Sequence, residues 1–441
     1  MTERDGQTAS IGARSLIGRI RRATGGGPAQ PGQPAVRIPA KDPFAAYRDV
    51  SGPRLVRGPR PRHDAELDAD PRVVVLVPHL QLGRMSGGPN TIFHVTAPLV
   101  RSGIRLRYVA TGGPLEPDET ALRAHIRTVT GLDPDPAAVA FVDASAPDAE
   151  FAVGRGDVLV ATWWPTAHVA NAALSITGGP AFVYLIQDFE PGFYAWSTNY
   201  ALAAATYDLP MRAIVNEPSL ADHLRATGSG RFADPAQPSI AFVPAVDRTL
   251  FQRSRRRPAE PFRLAFYARP KHARNLFDLG LAVLRTAAAR GVFDGSAWEF
   301  RAIGSELPEL PIDATRTLRA EAWLDYAGYA AFLGETDLLM SLMLSPHTSY
   351  PPLEMAASGG HVVTNTFGGK TANALRALGP TIHAAPAALE PLVTALTEGV
   401  AAAERADPPA SAEAVPASWD VALRDVIPWL LATVAELRGS R

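Results

Sequence analysis

The run Val73–Val77, VVVLV, has no polar residue at any alternate position. A strand with one wet face alternates apolar and polar residues. A run without alternation is buried on both faces, as strands are in parallel sheets packed between helices. Parallel neighbours cannot be joined by a tight turn and need a crossover, usually a helix. The chain supplies it: a glycine-rich loop, QLGRMSGGPN, then the helical stretch TIFHVTAPLVRSG ending in glycine. Further short apolar strands follow in IRLRYVATGG, DVLVATWWP, AFVYLIQDFE, RAIVNEP and IAFVPAVD, with helical patterns between several of them. Strands alternating with helices predict an α/β fold of β-α-β units on a parallel sheet.

After the basic, proline-bearing QRSRRRPAEP the pattern restarts. FRLAFYA reads as a strand, RPKHARN as a loop and LFDLGLAVLRTAAARG as a helix; WEFRAIGS, TDLLMSL, HVVTN and PTIHAA are further strands. The 441 residues therefore read as two facing, Rossmann-like, doubly wound domains with a cleft between them. The expected organisation is a tail over 1–68, a first domain over 69–250, a second over 251–412 and closing helices over 413–441, with the boundary near Asp247–Pro261 and order beginning at PRVVVLVPHL. The tail is rich in Gly, Pro, Arg and Ser, too poor in apolar surface to offset its ordering entropy. Within it Ile11, Leu16, Ile17 and Ile20 stand against Arg14, Arg19, Arg21 and Arg22. That pattern suits either a peripheral contact with an anionic membrane or a solvated tail.

A net charge of −1 gives no sign of a nucleic-acid partner. The absence of cysteine excludes disulfides, thiolate metal sites and cysteine nucleophiles. There is no apolar run of ~18 residues and no apolar signal core, so the expected compartment is the cytoplasm.

In open parallel sheets ligands bind outside the carboxyl ends of the strands. Arg269 directly follows a strand, and Lys271 and Arg274 lie in the turn into a helix. Helix N-termini attract anions, and guanidinium groups clamp phosphate bidentately, so a diphosphate suits this loop better than bare solvent does. Glu354, in LSPHTSYPPLEMAASGGHVVTN, stands at the equivalent edge of the same sheet. It is either a carboxylate favoured by the helix dipole or an acceptor for ribose hydroxyls. FGGKT is not a P-loop, because the first glycine of GxxxxGKS/T would fall at Thr364; Gly368 still offers a backbone N–H to a phosphate. In the first domain Gly87 and Gly88 allow close backbone approach. Asp188, Glu190, Tyr194 and Trp196, with Trp163 and Trp164, combine carboxylates and rings as a sugar would require, the alternative for the rings being core packing. His79 ends the first strand, placed for an acceptor contact or a local hydrogen bond.

Together these stretches resemble a GT-B glycosyltransferase of family 4, over nearly all of the chain from about residue 71. YARPKHARN resembles the family's G-R-x-x-x-x-K segment, with Arg269 at the arginine and Arg274 at the lysine; VPAVDRTLF resembles its P-N-G-V-D-x-x-x-F hinge; PPLEMAASGGHVV places Glu354 at the ribose-binding glutamate. More narrowly, YLIQDFEPGFYAWSTNYALAAATY, FYARPKHARNLFDLG and SPHTSYPPLEMAASGG resemble the WsaF-type rhamnosyltransferases of S-layer glycan assembly. The resemblance implies dTDP-L-rhamnose as donor, a saccharide or lipid-linked saccharide acceptor, transfer without metal or other cofactor, and Arg269 and Arg274 as the groups that stabilise the leaving diphosphate. It implies donor contacts from His347, Ser349 and Tyr350 as well. One departure is that Pro346 stands where most members carry a second glutamate, eight positions before Glu354. Retention needs no protein base, since a leaving phosphate oxygen takes the proton; Asp188 or Glu190 would serve as base in an inverting enzyme. A nucleotide-sugar epimerase on the same fold and a non-catalytic glycan- or nucleotide-binding relative are the rival readings.

Overall fold

The computed structural model describes residues 56, 58–85, 87–254, 260–405 and 412–439. The chain falls into two units, residues 1–54 and 55–441, and only the second is described below. The basic amphipathic segment Ile11–Arg22 lies outside the described residues.

The first domain contains β1 (Arg60–His63), β2 (Val73–Val77), α1 (Gly87–Thr96), β3 (Leu106–Ala110), α2 (Glu119–Thr130), β4 (Val139–Asp143), β5 (Glu150–Val153), β6 (Val158–Ala161), α3 (Trp164–Thr177), β7 (Phe182–Ile186), α4 (Thr198–Ala205), β8 (Met211–Asn216), α5 (Pro218–Ala226) and β9 (Ser239–Phe242). Seven strands form one parallel sheet in the order β4-β3-β2-β6-β7-β8-β9. Every residue of β2 is buried because its side chains enter apolar layers on both faces, Val73, Val75 and Val77 on one and Val74 and Leu76 on the other. Order begins before PRVVVLVPHL: β1 pairs in parallel with β5, and Asp68 accepts the Arg155 N–H at 2.6 Å. The polar composition of RPRH hid this strand, which is held by backbone pairing at an edge and buries little of itself.

The second domain contains β10 (Phe262–Tyr267), α6 (Phe277–Ala289), β11 (Trp298–Ile303), β12 (Leu310–Pro311), β13 (Thr317–Ala320), α7 (Tyr326–Gly334), β14 (Leu338–Met340), α8 (Tyr350–Ala357), β15 (His361–Thr366), α9 (Ala372–Leu378), β16 (Ile382–Pro386) and α10 (Leu389–Glu404). Its sheet runs β12-β13-β11-β10-β14-β15-β16, parallel except for β12. Helix α6 lies so close over β10 that a Cβ on Gly280 would sit 2.4 Å from the Phe266 ring.

The passage between domains comes earlier than Asp247–Pro261. Phe242 still packs in the first core, whereas Val246 and Phe251 already belong to the second. The chain then returns through α11 (Trp419–Ala422) and α12 (Val426–Gly439). Val426, Leu430, Val434 and Leu437 of α12 are buried in the first domain's core. Each such apolar side chain contributes about 1.5–3 kcal/mol, so the final helix straps the two halves together. No helix among the described residues is long and apolar enough to cross a membrane.

Candidate active site between the two sheets

In each seven-stranded sheet the strand order reverses beside the sheet's first strand in the chain: β2 lies between β3 and β6, and β10 between β11 and β14. The crevices outside these switch points are where doubly wound sheets take ligands. The two crevices face each other, and the loops that edge them touch.

On the second domain, the loop after β10 carries the cations. Arg269 is half-buried and its Nη2 donates to His272 Nε2 at 2.7 Å. Arginine has no acceptor, so that histidine nitrogen is unprotonated. Burial, with Arg269 and Arg274 nearby, lowers the His272 pKa. Lys271 is exposed at the turn. Leu276, in the left-handed region at φ 50°, swings the chain from Arg274 into α6. The Arg274 carbonyl accepts the Leu344 N–H at 2.7 Å, which ties this loop to the one after β14.

Arg274 reaches across to the first domain. It donates to Asp188, at the end of β7, and lies over the Phe193 ring at 4.2 Å. Asp188 also accepts from Ser345 Oγ and from its neighbour's N–H, Phe189, at 2.8 Å. With three hydrogen bonds on its carboxylate, Asp188 clasps the two domains together in this structure. A second carboxylate, Glu217, leaves β8 at φ 117° and accepts both the N–H of Thr348, at 3.0 Å, and its hydroxyl. Tyr350 is a third crossing: Asn216 Nδ2 donates to its Oη at 3.1 Å and Thr91 Oγ1 is also bonded to it. Burial pushes this phenol up to about 12. Tyr350 thus plugs into the first domain instead of lying open to the donor. Gly87 suits that plug, since a Cβ there would stand 3.0 Å from the tyrosine ring and press on it; Gly88 lies beside Gln187.

Gly368 and Gly369 form the turn between Phe367 and Lys370, and they press on α5. Added Cβ atoms would fall 2.3 Å from His223 Nδ1 and 2.2 Å from the Ser219 carbonyl oxygen. Their small size serves domain contact, and Gly368 is exposed at this turn. Lys370 itself is wholly buried and donates to the Met343 carbonyl at 2.8 Å. Burial lowers its pKa to about 8, while Glu217 and Asp188 pull it back up.

Glu354 lies in α8 with 6% of its surface exposed, and its carboxylate accepts a hydrogen bond from Tyr329 Oη at 2.9 Å. Burial raises its pKa to about 7. A buried carboxylate with spare acceptor capacity at the mouth of a sheet is free to take hydroxyl donors. In the preceding loop His347 is buried and Ser349 is half-buried.

The first domain's aromatic wall divides. Trp164 is buried, its Nε1 donating to Tyr194 Oη at 2.9 Å, and Glu190 is only 3% exposed. Glu190 accepts the Trp164 N–H at 2.5 Å and the Tyr184 hydroxyl at 3.1 Å, so it caps α3 from inside the domain. Burial pushes it up to about 8 against the pull of those donors. Both residues are packing and capping elements, not the ligand wall expected of them. Trp163 and Tyr194 are half-buried, and Trp196 is 94% exposed. His79 is half-buried, with Nδ1 lacking a hydrogen-bond partner. Glu217, Thr348, Asn216 and Lys370 were not singled out from the sequence. The available signal was NEP, a carboxylate before a helix-opening proline at the end of β8, on the edge that Asp188 also occupies.

Two Rossmann-like domains meeting at their switch points, strapped by a returning C-terminal helix, make up the GT-B fold. The fold likeness extends to solved structures: the sucrose-phosphate synthase of Thermosynechococcus elongatus has a TM-score of 0.52 at 13% identity, covering 87% of this chain and all (100%) of that one. Anabaena HepE in complex with UDP has a TM-score of 0.53 at 13% identity, covering 83% of this chain and 100% of that one. Residues 72–216 match the family model "WsaF, N-terminal domain" and residues 262–397 match "WsaF, C-terminal domain", so the chain belongs to the WsaF family. It is also 34% identical over 222 residues to the O-antigen biosynthesis protein RfbC of Myxococcus xanthus. That stretch is 47% of this chain and 15% of the relative's length.

Proposed function

We propose that the protein moves L-rhamnose from dTDP-L-rhamnose to a hydroxyl of a saccharide acceptor, free or lipid-linked, in cell-envelope polysaccharide synthesis at the cytoplasmic face. The observation that supports this is that Arg269 and Arg274 lie between β10 and α6 and Glu354 lies in α8, in the segments that follow the neighbouring strands β10 and β14 at the second sheet's switch point. The donor would lay its diphosphate on the loop after β10 and its ribose on Glu354. The WsaF membership and the printed role of RfbC support a polysaccharide product, and HepE, solved with UDP and with UDP-glucose, supports a nucleotide-sugar donor.

The costly event in such a transfer is the departure of the diphosphate as the sugar becomes oxocarbenium-like. Arg274 would exchange its Asp188 partner for the diphosphate, and Arg269 its histidine partner. Two fixed cations then meet the charge as it develops, with no cofactor required of the chain. Half-exposed Trp163 and Tyr194, His79 and the exposed Trp196 make the acceptor side.

The test is incubation with dTDP-L-rhamnose, with and without a synthetic rhamnosyl acceptor, followed by chromatography and mass spectrometry. Release of dTDP only when acceptor is present, with the acceptor gaining one deoxyhexose, is the expected result. No gain in acceptor mass with dTDP-L-rhamnose, alongside transfer from UDP-glucose, would overturn the donor assignment.

A further inference from the structure

The loop between β14 and α8 contains no acidic residue before Glu354, and Pro346 at its centre is buried. Its carboxylate comes from the other domain. Glu217 is held at φ 117°, ψ 142°, a conformation that costs a non-glycine residue of order 1–3 kcal/mol and persists where the surroundings enforce it. The loop is strained too, with Ser349 at φ 78°. Its Thr348 fixes the Glu217 carboxylate through two hydrogen bonds.

His347 lies beside them, 4% exposed. Its Nδ1 accepts the Ser349 N–H at 2.8 Å, so the ring proton of the neutral imidazole is on Nε2. That Nε2 is buried and has no hydrogen-bond partner. It faces Glu217 Oε2 at 3.7 Å, too long for a direct bond. A buried donor left unsatisfied costs about 1–3 kcal/mol. A donor and an acceptor thus stand at a spacing that neither closes by itself. A hydroxyl oxygen about 2.8 Å from each would satisfy both, accepting the Nε2–H and donating its O–H to the carboxylate. A hydroxyl group has that donor–acceptor character; a phosphate oxygen, which only accepts, would be repelled by Glu217.

We propose that Glu217 and His347 form a two-sided subsite for a hydroxyl of the transferred sugar, a step that rests on the donor reading above. The loop carrying His347 is bonded to the Arg274 carbonyl and leads into the helix of Glu354, so the subsite adjoins the proposed diphosphate and ribose positions. Because one half comes from each domain, it is complete only when the domains meet.

The test measures calorimetric affinity for dTDP and for dTDP-L-rhamnose in the unmodified protein, E217Q, H347N and the double variant, with folding checked by thermal melts. H347N keeps an acceptor near the Ser349 N–H but loses Nε2, so it remains informative should E217Q fold poorly. Both single variants are expected to hold dTDP within about twofold of normal and to lose about tenfold in dTDP-L-rhamnose affinity, a tenfold change being 1.4 kcal/mol. The double variant is expected to lose little more than the worse single, because both groups hold one hydroxyl. Unchanged sugar-nucleotide affinity in the folded variants would overturn the subsite, as would an equal loss for dTDP, which would mark a structural role. Absence of binding by the unmodified protein to either ligand would overturn the donor reading itself.

Discussion

An Arg274→Ala variant is expected to lose between about a hundredfold and a thousandfold in kcat, the usual loss when one preorganised charge stabiliser is removed. The structure adds a complication that makes the test sharper. Arg274 is paired with Asp188, whose side chain is 11% exposed, and its own side chain is 25% exposed. Removing one partner of a buried pair leaves the other charge uncompensated, at a cost of about 3–5 kcal/mol when burial is complete and less here. A single variant therefore falls in both stability and turnover. The double variant D188N/R274A separates the two. It removes the orphaned charge, and its amide oxygen can still accept from Ser345 and the Phe189 N–H, so its melting temperature should recover most of the loss while kcat stays low. Recovery of both together would reduce Arg274 to a strut between domains.

The second large effect is on the donor's ribose. Glu354→Gln should weaken dTDP-L-rhamnose binding by about tenfold or more near pH 8, since hydrogen bonds to a charged group contribute about 1.5–3 kcal/mol. The dependence on pH has a definite sign. Burial raises the Glu354 pKa from its ordinary 4.5 to about 7, so the free protein holds this group largely protonated near pH 6 and largely ionised near pH 8. The carboxylate accepts more strongly than the acid, and the diphosphate diester of the donor stays ionised throughout. Affinity of the unmodified protein should rise from near pH 6 to near pH 8, and E354Q should flatten that rise. Without ligand the slope runs the other way. A carboxyl whose folded pKa lies above its unfolded value adds stability below about 4.5 that is lost as pH rises through 7. Glu190, pushed to about 8, acts with the same sign over a wider window. The melting temperature of the unmodified protein relative to that of E354Q should therefore fall from pH 5 to pH 8. Calorimetry and thermal melts across that range check both signs.

The sheets were legible because doubly buried strands are written as apolar runs: VVVLV, FVYLI and FRLAFY needed no partner to be recognised. β4 escaped because it lies at a sheet edge and is partly exposed, and β12 and β13 because two- and four-residue edge strands carry too little pattern. A cation directly after a strand can be read from the sequence, as at Arg269. The contacts that join the domains cannot. Asp188 meets residues 86 and 157 positions away, and Glu217 meets one 131 away, with no periodicity to announce them. Nor does composition foretell a glutamate at positive φ, since local sterics oppose it and only the assembled fold enforces it. Rings mislead in both directions: Trp164 and Trp196 read alike in sequence, yet one is core and the other 94% exposed.

The most direct measurement is a crystal structure with dTDP bound. The nucleotide and its diphosphate should lie at the switch point of the second sheet. Diphosphate oxygens within hydrogen-bond reach of the Arg269 and Arg274 guanidinium groups, with ribose hydroxyls on Glu354 and Asp188 released from Arg274, is the predicted result. A nucleotide seated elsewhere, with the Asp188–Arg274 pair intact, would contradict it.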